Sequence, residues 1–148
     1  MKLLLLGIVL LSNSYAATFK IIGPCSDTPV YTGEIESKNL RKSVGEYTIS
    51  YLDQNNIAYV GNEQGLNSII GTPIGLDAME ILSDEQMRSH GWCYSVDGEI
   101  PDSLANEVRL NNEDSEVVWF YGYSFYDRGE WSEYCTPTYK VKPEQFCK

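Results

Sequence analysis

The chain has 148 residues, 11 basic against 21 acidic, a formal net charge of -10 and 43% apolar residues, a balance that fits one globular domain. Between Ser43 and Tyr139 stand 17 acidic residues and only three basic ones, Arg88, Arg109 and Arg128, so the field repels a phosphate backbone and nucleic acid is excluded as a partner. His90 is the only histidine, which excludes a two-histidine zinc site and an iron facial triad.

The chain opens with one lysine, Lys2, and an apolar run from Leu3 to Leu11, then reaches Ser14-Tyr15-Ala16 with small residues where a signal peptidase reads. Residues 1–16 therefore read as a signal peptide, and the protein is expected to be secreted or periplasmic. Nine apolar residues are too few for a spanning helix, which needs about 20, and no later stretch approaches that length, so no transmembrane segment is expected. The mature chain of 132 residues carries a net charge of -11 and should hide roughly two thirds of its surface on folding.

Thr18 to Ile22 reads as a first strand, ended by Gly23-Pro24, and Val30 to Glu36 as a second with a bulge at Gly33. Ser43 with Glu46 three residues on forms a capping box. Val44, Tyr47, Thr48, Tyr51 and Leu52 then follow at helical spacing, so a helix runs from Ser43 to the Asp53-Gln54-Asn55-Asn56 breaker and buries that stripe. Ile57 to Val60 and Leu66 to Ile70 are short extended pieces around a Gly61 to Gly65 turn. That turn carries Glu63 where a phosphate loop would need bare amides. Ser83-Asp84-Glu85-Gln86 repeats the capping-box spacing and predicts a short helical turn over 84–88.

From Gly91 the period becomes two: Trp92, Tyr94 and Val96 share one strand face, Cys93 and Ser95 the other, and Asp97-Gly98 makes a hairpin-type turn. Val117, Trp119 and Tyr121 alternate with Val118 and Phe120 in the next strand, whose two apolar faces call for cover on both sides. Nine aromatic residues in the 21 positions from Trp119 to Tyr139 argue that the tail folds back on the sheet instead of trailing away.

The run Gly91-Trp92-Cys93-Tyr94-Ser95-Val96-Asp97-Gly98, followed about 20 residues later by Val117 to Tyr121, resembles the transcobalamin C-terminal-like domain family of bacterial secreted proteins, a family of unknown function. Asp97 stands where the family has Asn, and Asp114-Ser115 where it has a Gly-Asp pair. The resemblance implies an α+β fold: a β-grasp-like mixed sheet with one main packed helix over residues 17–122, to which 123–148 adds an aromatic, disulfide-tethered extension. In vitamin-carrying relatives this domain walls one side of a cobalamin site against a separate helical domain. The 132 mature residues leave no space for such a partner domain, so no cofactor is expected.

Cys25, Cys93, Cys135 and Cys147 are an even set in an exported chain, so two disulfides are the default. Three pairings are open; those that join each tail cysteine to Cys25 or Cys93 would tie the tail to the sheet. No Cys-x-x-Cys spacing suggests thiol exchange. The acids Asp97, Glu99 and Asp102, with Asn112, Glu113 and Asp114, lie close enough in sequence to consider calcium, but they lack the spacing of a calcium loop and read as solvated turns, so no metal is expected. The chain reads as a non-catalytic binding or accessory domain for a protein, peptide or glycan, with Tyr126, Trp131 and Tyr134, set among tail acids, as candidate ligand contacts. The alternatives are a disulfide-stabilised structural or inhibitor-like small protein, or a hydrolytic enzyme using His90 or paired carboxylates.

Overall fold

In a computed structural model, residues 17–36, 41–110, 114–144 and 147 are described. The elements in chain order are β1 (Ala17–Ile22), β2 (Pro29–Ile35), α1 (Val44–Gln54), β3 (Tyr59–Asn62), β4 (Gly65–Ile69), β5 (Met79–Ile81), β6 (Gln86–Val96), β7 (Glu116–Asp127) and β8 (Glu130–Pro137), with a short 3-10 turn at Gly75–Ala78. Five strands lie in the order β2-β1-β7-β6-β5, and β8 also pairs with β7. The β1–β7 pair is parallel and every other pair in this sheet antiparallel. The fold is α+β, a β-grasp-like mixed sheet with one main packed helix.

The helix starts where the sequence places it. Ser43 Oγ accepts from the Glu46 amide at 3.1 Å, and Glu46 Oε2 accepts from the Ser43 amide at 2.8 Å. The same amide and hydroxyl hold the exposed Glu46 carboxyl below its ordinary pKa. The amides of Val44 and Gly45, orphaned by helix geometry, donate to the carbonyls of Val108 and Ala105, both at 2.8 Å. The loop after β6 is thereby tied to the start of α1.

Alternation sends Phe19, Ile21, Trp92, Tyr94, Val117, Trp119 and Tyr121 to one sheet face, where they meet Val44, Tyr47 and Leu52 of α1 and Leu66 and Ile69 of β4. Each such side chain contributes roughly 1.5–3 kcal/mol by leaving water. Trp119 Nε1 donates to Thr48 Oγ1 at 2.8 Å and Thr48 Oγ1 donates to the Val44 carbonyl at 2.7 Å, so both buried polar groups are satisfied. The Phe19 ring lies 4.5 Å from that of Tyr51.

Two local expectations need correction. Gly33 faces Phe19 in unbroken register, and the register shift falls at Ile21/Ile22. A Cβ at Gly33 would sit 2.3 Å from the Tyr51 ring, so this glycine lets the helix approach the sheet and marks no bulge. Residues 84–88 contain no helical turn: β6 begins at Gln86, and the amides of Leu82 and Ser83 donate to the Gln86 carbonyl. Ser83 Oγ does accept from the Glu85 amide at 3.3 Å, so the capping residue closes a β5–β6 hairpin because Gln86 to Val96 are claimed by β7.

β7 continues past Gly122 to Asp127. Along one side β6 pairs it from Val117 to Asp127. On the other side β1 pairs Glu116 to Phe120 and β8 pairs Gly122 to Asp127. At the handover the Thr138 amide donates to the Tyr121 carbonyl at 3.0 Å, and Thr138 itself is fully buried. Cys25 bonds Cys147 and Cys93 bonds Cys135, so both tail cysteines are joined to the sheet end of the chain. Gly122 is what lets β8 cross here, since a Cβ would lie 3.2 Å from the Thr136 carbonyl oxygen.

Candidate functional site

The turn that follows β6 is built by Asp97 and Gly98, both in the left-handed region at φ 54° and 84°. Val96 and Glu99 exchange both backbone hydrogen bonds across it, at 2.8 and 3.0 Å, as a two-residue hairpin turn requires. The Asp97 carboxylate accepts from the Glu116 amide at 2.7 Å and from Ser115 Oγ at 3.1 Å. It stitches the turn to the start of β7. Asn112 and Glu113 of the calcium consideration lie outside the described residues, and among the described residues no group of three or more His, Cys, Asp or Glu is placed to hold a metal ion.

The chain after this turn is held on three sides. Tyr94 Oη donates to the Ser103 carbonyl at 2.7 Å, the Ala105 amide donates to the Gln64 carbonyl at 3.1 Å, and Ala105 in turn accepts from Gly45. The segment 100–104 therefore faces the β3–β4 hairpin across a gap whose floor is β6. That gap is a cleft of about 490 Å³, within the range of ligand sites. Leu66, Trp92, Tyr94, Ile100 and Leu104 give it apolar walls, Asn62, Gln64 and Asn67 give it amide side chains, and the Cys93–Cys135 bridge closes one end. Ile100 and Leu104 are about half exposed. The sequence marked Trp92 and Tyr94 as core. What it could not show is that the loop carrying Ile100 and Leu104 stands opposite them, a juxtaposition set by long-range hydrogen bonds to Gln64 and Gly45.

The tail aromatics lie elsewhere. Tyr126 belongs to β7, Trp131 and Tyr134 to β8. Tyr126 and Trp131 are cross-strand partners with ring centroids 5.2 Å apart, and Tyr134 Oη donates to the Trp131 carbonyl at 3.2 Å. The fold brings the three together at the β7–β8 hairpin, with Trp131 40% and Tyr134 68% exposed. None of the three lines the cleft.

His90 sits mid-strand, 6% exposed, stacked at 6.0 Å on Tyr121, with Nε2 3.4 Å from Glu80 Oε2. Arg88 bonds the same Glu80 oxygen at 3.0 Å and lies 5.2 Å over the Tyr123 ring. Burial pushes the imidazole pKa down, Glu80 opposes that, and Arg88 adds to the lowering. The arrangement packs the ring into the sheet. Among the described residues no cysteine is free.

No helix among the described residues is long and apolar enough to cross a membrane. No curated protein and no solved structure matches the chain. Residues 43–122, just over half of the chain, match the family model described as a domain of unknown function, DUF4430. The match begins at the helix cap and ends where β1 hands β7 over to β8, and it contains every cleft residue except Cys135.

Proposed function

The chain belongs to the DUF4430 family of transcobalamin C-terminal-like β-grasp domains, and on that footing we propose that it is a non-catalytic binding domain whose ligand, a protein, peptide or glycan, enters the cleft over β6. One observation carries this reading: apolar walls and amide side chains from three separate segments converge on a single concavity of about 490 Å³. Apolar side chains left half exposed on its rim, Ile100 and Leu104, are what a ligand would cover. The domain works in an exported setting, secreted or periplasmic; two disulfides support that, because such bonds persist in oxidising compartments.

A second contact face at Tyr126, Trp131 and Tyr134 is favoured by the pairing of the first two rings and the exposure of the last two. Glycan and peptide arrays probed with the wild-type chain, Leu104→Arg and Trp131→Ala separate the two. Capture lost in Leu104→Arg and kept in Trp131→Ala is the expected result. The reverse outcome moves the site to the hairpin, and capture unchanged in both refutes the reading.

A further inference from the structure

β6 is paired unequally on its two sides. Toward β7 it is matched from Gln86 to Val96, but toward the other side β5 covers only Met87 to Ser89 and Glu99 meets only Val96. Between these, from Gly91 to Ser95, the strand has no strand partner on that side among the described residues. Parity fixes which groups face the gap. Asp97 donates to Glu116 on the β7 side, whereas Val96 bonds Glu99 on the other, so the even residues Trp92 and Tyr94 turn their amides and carbonyls to the open edge. Those two residues also line the cleft. A cleft floored by the open edge of a strand offers a ladder of donors and acceptors at every second residue, which an extended backbone matches and a compact ligand does not.

The rim adds a charge preference. Glu63 on the β3–β4 turn and Glu99 and Asp102 on the facing loop are exposed and stand next in sequence to the lining residues Asn62, Gln64, Ile100, Pro101 and Ser103, while the exposed Glu107 accepts from the Leu104 amide at 3.1 Å. The segments 61–67 and 97–107 that carry them contain no lysine or arginine. We propose that the cleft takes an extended peptide segment bearing Lys or Arg, added as a strand along Trp92 and Tyr94, with its basic side chains reaching the acidic rim. The proposal rests on the cleft being the binding site and names its ligand class.

The test selects a random heptapeptide display library on the intact disulfide-bonded chain and then uses synthetic copies of the enriched peptide. Enriched peptides should carry net positive charge. Methylating the alternate backbone nitrogens that face β6 should weaken binding about tenfold or more, and methylating the other set should not. The variant Glu63→Gln/Glu99→Gln/Asp102→Gln should weaken binding by a similar factor, losing its dependence on low salt. Bound peptide should slow hydrogen exchange at the Trp92 and Tyr94 amides. Failure to enrich basic peptides, or binding that leaves those two amides unprotected, overturns strand addition. If Leu104→Arg still abolishes such binding, the cleft reading survives alone; if Leu104→Arg has no effect, both fall. A concentration-dependent dimer that protects the same amides without peptide makes a second copy the occupant and also overturns the proposal.

Discussion

Gly45→Ala is a substitution whose sign separates local from tertiary reasoning. Within a helix, alanine is favoured over glycine by roughly 0.5–1 kcal/mol, so helix propensity alone predicts stabilisation. In the structure a Cβ on Gly45 would lie 1.8 Å from the Glu63 carbonyl oxygen and 3.1 Å from the Asn106 nitrogen, and both neighbours are backbone. To restore even a 3.0 Å contact the β3–β4 turn must retreat by roughly 1.2 Å, straining the bonds from Gly45 to Ala105 and from Ala105 to Gln64. Overpacking of this kind costs about 1–3 kcal/mol, which outweighs the propensity gain, so the net expectation is about 1–2 kcal/mol of destabilisation. Urea unfolding followed by tryptophan fluorescence should show a lower midpoint at unchanged slope. Gly91→Ala, where a Cβ meets nothing within 4 Å, serves as the control and should shift the midpoint little. A midpoint for Gly45→Ala at or above wild type would refute the argument that the helix start braces the cleft wall.

Two further expectations concern buried polar groups. Thr48→Val leaves the buried Trp119 indole N–H without its acceptor and should cost about 1–3 kcal/mol; in a Trp119→Phe background the cost should shrink by about 1 kcal/mol, and additivity within about 0.5 kcal/mol would deny the coupling. His90 has a folded pKa lowered by burial, so its contribution to stability is full above the unfolded value of about 6.5 and declines as pH falls through that value toward the folded one. His90→Gln should flatten the stability profile as pH falls below about 7, measured by urea midpoints, and an unchanged slope there would remove His90 as its source.

Local chemistry made much of the fold legible. The Ser43–Glu46 box, the helical stripe and the period-two runs at Trp92 and Val117 are each short-range signals, and each element forms where they stand. Ser83 shows the limit: its box spacing is intact, yet pairing of Gln86 to Val96 with β7 outweighs one turn of helix. Gly33 failed for a related reason, since a close approach between helix and sheet cannot be told from a bulge without knowing that Tyr51 lies above it. The cleft was invisible in sequence because its halves, near residues 62–67 and 100–104, are placed by hydrogen bonds between residues far apart in the chain, Ala105 with Gln64 and Gly45 and Ser103 with Tyr94. Aromatic tail residues were visible as a composition, but nothing in that composition says that Tyr126 and Trp131 face each other across a hairpin.

The sharing of one flank of β7 between β1 and β8 has a consequence for the protein's solubility. Without its last strand, the stretch from Gly122 to Asp127, rich in Tyr and Phe, would offer a bare row of amides and carbonyls to any other chain, the template on which fibrils and amorphous aggregates grow. The β8 hairpin arm thus acts as an edge guard. The Cys93–Cys135 bond keeps that guard latched in place, and a protease nick at Arg128 would leave β8 attached as long as either this bridge or Cys25–Cys147 stayed oxidised.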